Sequence, residues 1–223
     1  MSKTDAAVLF ACIALPAFAF AAEPEDRHAA LQKERAEVTA QFRQAIATQA
    51  AATETATKAA AAFHTCKNAR LQILADPVIR RADGARRTLE SARRGTEALR
   101  KVLESRRTGL ESERKYRGKS RNPEYVAGEQ AYADGMSERY LKPLESTVVP
   151  QIKDYSAGIG EYAKVLKRYA AFCAEPGYTN ASAEAFVKEL EASVDTLTAR
   201  SQQIAKAVSD ARMSPEKAQA AVK

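Results

Sequence analysis

Residues 82–115 read ADGARRTLESARRGTEALRKVLESRRTGLESERK. Leu89, Thr96, Leu103 and Leu110 fall one heptad apart, and Ala85, Ala92 and Leu99 form a companion line. Arg86, Arg93, Arg100 and Arg107 repeat at the same interval, as do Glu90, Glu97, Glu104 and Glu111. A third series, Arg87, Arg94 and Lys101, keeps the same beat. Apolar positions spaced this regularly specify a long helix packed along a narrow seam, with its charges turned outward.

Working outward, Leu31, Val38, Ala45, Ala52, Ala59, Cys66 and Ile73 hold heptad spacing and predict a first helix over 24–74. Asp76-Pro77 reads as a turn, because proline disfavours helix at the residue before it. The second helix is expected over 78–116, and RGKSRNP at 117–123 reads as a loop. A third helix starts near Pro123, is interrupted around Gly135 and Pro143, and carries an apolar stripe from Leu141 to Cys173. Glu175-Pro176-Gly177 ends it. A fourth follows a cap at Asn180 or Ser182, and Ser214-Pro215-Glu216 predicts a short terminal helix. No useful length alternates with period two. The fold class is therefore all-α: an elongated antiparallel bundle of four long helices with coiled-coil-like heptad packing, plus a short C-terminal helix.

The N-terminus carries a different signal. Lys3 precedes the uncharged apolar run Ala6–Phe20, and Ala19-Phe20-Ala21 matches a small-x-small cleavage pattern. Residues 1–21 are expected to be a signal peptide, leaving 22–223 as one helical-bundle domain in the periplasm or outside the cell. The run is short for a membrane span and is broken by Pro16. A lipoprotein signal ending at Cys12 is the alternative, though Phe10 is bulky for that motif. Cys66 and Cys173 then remain, and two cysteines in an exported chain read most simply as a disulfide.

With a first turn at 76–77, Cys66 would stand level with Arg86. Pairing Cys173 with it would place Leu144 level with Lys115, so a helix from Pro123 would overshoot by ~20 residues, or ~30 Å. The segment 117–143 is accordingly expected to leave the bundle.

Chemistry is sparse. Glu25-Asp26-Arg27-His28 has the Glu-x-x-His spacing, but the only other histidine, His64, has Ala61 three residues before it, so a bundle di-iron site is not supported. No Cys-x-x-Cys-His run exists for haem attachment. Gly158-Ile159-Gly160 lies inside a helix, where glycine suits close packing rather than phosphate binding. The expectation is a protein that is not an enzyme and has no metal or other cofactor.

What remains is charge. Residues 77–121 hold 15 Lys and Arg against 6 Asp and Glu, a surplus of +9 that exceeds the +7 of the whole chain. With the seam at heptad positions a and d, Arg86, Arg93, Arg100 and Arg107 fall at e. Arg87, Arg94 and Lys101 fall at f, the outermost line, and the glutamates fall at b. Pairs such as Arg86–Glu90 and Glu90–Arg94 are expected to form a ladder along the helix. All eight tyrosines lie between Tyr116 and Tyr178. Tyr155, Tyr162 and Tyr169 belong to an apolar stripe, whereas Tyr125 and Tyr132 mix with Arg117, Lys119 and Arg121. The expected contact surface is thus Arg87, Arg94, Lys101, Arg117, Lys119, Arg121, Tyr125 and Tyr132. It would meet an envelope or periplasmic protein, as an adaptor, chaperone-like or secretion-apparatus component. The alternative is an anionic polymer or lipid surface; nucleic acid is not expected, given export.

Overall fold

The computed structural model describes residues 24–116 and 123–220. The expected signal peptide and Cys12 lie outside the described residues. The regular elements are α1 (Pro24–His64), α2 (Ala69–Tyr116), α3 (Pro123–Met136), two π-helical segments (Ser137–Leu141 and Leu144–Val148), α4 (Val149–Ala174) and α5 (Asn180–Ala220). Among the described residues there is no strand, so the fold is an all-α bundle with its long helices antiparallel in chain order.

The closest packing nevertheless joins helices that run the same way. α1 lies along α4, and α2 lies along α5. Gln41–Glu145 and Cys66–Cys173 mark the parallel α1–α4 register. Gly95 of α2 approaches α5 so closely that an added Cβ would stand 2.6 Å from Val208 Cγ1. α4 also packs antiparallel on both α2 and α5. α1 and α2, although consecutive, do not pack backbone to backbone, and a groove runs between them with α4 as its floor.

The seam residues of α2, from Ala85, Leu89 and Ala92 to Leu103 and Leu110, are buried. The buried core divides into an upper cluster around Leu71, Leu89, Tyr169 and Leu197 and a lower one around Val38, Leu103, Met136 and Leu141. α5 contributes no buried residue to the lower cluster.

Three expectations are corrected. The first turn lies at 65–68, not 76–77. Asn68 caps α2, its Oδ1 accepting the Leu71 N–H at 2.9 Å. Pro77 sits inside α2 on an exposed face, and the residue whose carbonyl it leaves without a donor, Ile73, is 75% exposed. Water can satisfy that carbonyl, so proline does not end the helix.

The second correction follows from the first. Cys66 now stands at the turn itself, which moves its level on α2 by ~18 residues and removes the overshoot. The described part of the expected excursion, 123–143, stays on the bundle. α3 packs on α1 and α2, and Tyr132, Ala133, Met136, Tyr140 and Leu141 are buried. The third concerns the C-terminus: α5 runs unbroken through Pro215 to Ala220, with no separate terminal helix. Pro215 falls in the last turns, where a lost hydrogen bond costs little because helix ends fray.

The disulfide is present, joining Cys66 and Cys173 with Cα atoms 5.8 Å apart. Beside it Phe63 packs on Tyr169, and Phe172 stacks on Phe186. Gly177, at φ 77°, turns the chain from α4 into α5. Among the described residues no helix is long and apolar enough to cross a membrane.

Candidate functional site

Helix α2 positions the charges. Its glutamates do not reach forward as the expected ladder required. Arg93 donates back to Glu90 (2.9 Å), Arg100 to Glu97 (2.7 Å) and Arg107 to Glu104 (2.9 Å). Arg86 likewise meets Asp83, at 3.4 Å. Only Arg107–Glu111, at 2.9 Å, follows the expected spacing of four. Placing the acid N-terminal to the base suits the helix dipole, and helical side chains lean toward the N-terminus. The e arginines therefore take up the glutamates, and the expected links from Glu90 to Arg94 and from Glu97 to Lys101 are not made.

Arg87, Arg94 and Lys101 are exposed, and none lies within 4 Å of a carboxylate among the described residues. They form an outward row, one cation every ~10 Å along the axis. The rest of the expected surface divides. Arg117, Lys119 and Arg121 lie outside the described residues, as does the side chain of Tyr125. Tyr132 is not on the surface: it is 8% exposed, beneath Arg114, whose guanidinium stands 4.6 Å from its ring centroid. Arg114 is held in turn by both oxygens of Glu129, at 2.9 and 2.7 Å. Tyr132 is buried because α3 turns its apolar stripe onto the bundle.

The stripe tyrosines have a role that periodicity alone did not disclose. Tyr162 donates to Asp83 (2.8 Å), Tyr155 to Glu90 (2.6 Å) and Tyr140 to Glu104 (2.9 Å). Antiparallel heptads on α2 and α4 bring these groups level. From Tyr155 to Tyr140 the count is one residue more than from Glu90 to Glu104. The π segments at 137–141 and 144–148, beside Pro143 and Pro150, lie in that interval, and a π turn accommodates an extra residue. Burial, and then the neighbouring carboxylate, push each of the three phenols up to about 12. Burial opposes ionisation of Glu90, but hydrogen bonds from Tyr155 and Arg93 outweigh it and hold that carboxyl below its ordinary range. Hydrogen bonding from Arg100 does the same for Glu97.

Two of these pairs border the groove between α1 and α2. At its widest it encloses about 430 Å³. One side is small and apolar, with Ala56, Ala60 and Phe63; the floor has Ile159 and Leu166; the polar edge carries Asp83, Glu90 and the two tyrosines. Toward Ile46 and Arg100 a second, smaller space of about 30 Å³ lies between the same helices. The heptad matching of Tyr155 and Tyr162 with Glu90 and Asp83 was the available sequence signal for this site.

Among the described residues no three His, Cys, Asp or Glu side chains gather as a metal site. No family model, curated protein or solved structure matches this chain.

Proposed function

We propose that the chain is an exported, non-enzymatic helical protein whose outer α2 face binds an acidic protein partner in the cell envelope. In this reading residues 1–21 direct export, the disulfide forms in the oxidising compartment, and coiled-coil-like heptad seams stiffen the rod that presents the row. The observation that carries it is the contrast along one helix. Each e arginine holds a carboxylate, whereas Arg87, Arg94 and Lys101 hold none among the described residues. Basic side chains without intramolecular partners complement an acidic surface and steer its approach. Arg117, Lys119, Arg121 and Tyr125 extend the same proposed surface beyond α2.

The test is crosslinking in the native envelope from a photoreactive residue placed at Ser105, which is exposed and lies about one helical turn beyond Lys101. Loss of a discrete protein adduct in the Arg87→Glu/Arg94→Glu/Lys101→Glu variant supports the reading. An adduct that persists in that variant removes it. The even spacing of the row also favours a second reading, an anionic polymer or lipid surface that repeats its charge. That reading requires binding to anionic vesicles or a polyanion, with affinity falling steeply as salt rises.

A further inference from the structure

We infer that the groove between α1 and α2 is a binding site for a small organic cation: an ammonium group on an apolar body. This goes beyond the proposed function and concerns a different surface, since the groove faces the e side of α2 rather than the f row. The size comes first. A space of about 430 Å³ is in the range of small-molecule sites, and its apolar side and few convergent polar groups match their usual make-up.

The polarity comes from following each hydroxyl proton. Tyr155 donates to Glu90 and Tyr162 to Asp83. Thr53 donates to the Gln49 carbonyl and Thr57 to the Thr53 carbonyl. Four hydroxyls border the pocket, and each spends its proton inside the protein, leaving oxygen lone pairs as what a ligand can meet. Asp83 receives Tyr162 and Arg86 on Oδ1 and has no partner on Oδ2 within hydrogen-bonding distance among the described residues. Arg86 is the one guanidinium at the pocket, and it is turned toward Asp83 and the Tyr162 ring, 5.9 Å from its centroid. His64, beside Phe63, brings an imidazole donor to the apolar end of the pocket; the edge around Asp83 offers acceptors, anionic oxygen and aromatic faces, which favour a cationic donor over an anion. The ammonium would lie at Asp83 and the phenol oxygens, with its apolar body against Ala60, Phe63 and Leu166.

Three ligands of equal apolar body separate charge from burial: 4-phenylbutylamine, 4-phenylbutanol and 4-phenylbutyrate. Titration calorimetry on the disulfide-bonded protein is expected to show the amine binding at least about tenfold more tightly than the alcohol, with no binding of the carboxylate. Asp83→Asn keeps an acceptor for Tyr162 while removing the charge, and is expected to bring the amine down to the level of the alcohol. Ala60→Leu fills the apolar end and is expected to weaken amine and alcohol alike. Equal binding of amine and carboxylate, no binding of any of the three, or an amine affinity unchanged in Asp83→Asn would each overturn the assignment. The conservative Asp83→Asn variant keeps the test decisive if Ala60→Leu perturbs the fold.

Discussion

The two ends of the bundle share the same long helices and are sealed in different ways. At the upper end Cys66–Cys173 ties the α1–α2 turn to the end of α4, and aromatic rings pack on one another with centroids 4.1–4.9 Å apart. At the lower end arginines cap the tyrosines, Arg114 over Tyr132 and Arg107 over Tyr140, as Arg86 does over Tyr162 farther up. Polar contacts join the elements there: Arg27 with Asp134, Ser137 with Glu34 at 2.8 Å, and Gln41 with Glu145 at 2.9 Å. Ion pairs cross between helices at the upper end too, Arg81 with Glu191 and Asp195 (2.7 and 2.8 Å) and Arg168 with Glu189 (3.1 Å), but there the disulfide backs them. Charge-assisted contacts are screened by salt, so the lower end is expected to be the first to loosen as salt rises.

The largest expected effect breaks the upper seal. Replacing Cys66 and Cys173 by alanine removes a cross-link spanning 107 residues, expected to cost ~4–5 kcal/mol on the chain-entropy account. Hydrogen exchange should then rise most at 60–72 and 166–178 and least at 30–40; a uniform rise would erase the distinction between the ends. Next comes Leu103→Ala in the lower core, where the residue is 1% exposed. It should cost ~2–5 kcal/mol, read by denaturant melts, with exchange rising below Gln151 rather than at the disulfide.

The tyrosines give a pH comparison. Their folded pKa values stand above the ordinary phenol value, so the folded state holds more protons between pH 10 and about 12. The associated stability is present below pH 10 and lost as pH rises through about 12. Two of the three belong to the upper half, so Tyr155→Phe/Tyr162→Phe should flatten the alkaline decline more than Tyr140→Phe. An alkaline melt equally steep in all three proteins would contradict this. Arg114→Ala is smaller, ~1–2 kcal/mol, because it strips the cover from Tyr132 and leaves Glu129 unpaired. Its penalty should shrink in high salt. Reversing Arg87, Arg94 and Lys101 should leave stability within ~0.5 kcal/mol of the parent, since among the described residues no carboxylate lies within 4 Å of them.

Helix number, order and most seam residues were legible because burial here follows a period that sequence displays directly. Leu31, Val38, Leu89 and Leu103 are all buried where spacing placed them. The first turn was misread because the one-dimensional pattern does not tell which face a proline occupies; Asn68 was the overlooked cap. That error propagated into the excursion, since a shift of the turn counts twice in an antiparallel register. The f row was legible as charge, but its lack of partners depended on which way each glutamate leaned. The groove depended on α1 choosing α4 over α2, and side-chain pattern within single helices does not encode that choice.

That choice also sets an order of assembly. The first two helices make a hairpin in sequence without being each other's closest partners, so α1 finds its seat only once α4 is available, about a hundred residues later. The contacts that close the native state are therefore non-local, although every element is a helix. Cys66 can meet Cys173 only after the 107 residues between them have been made, so the cross-link that ties α1 to α4 belongs to the completed chain.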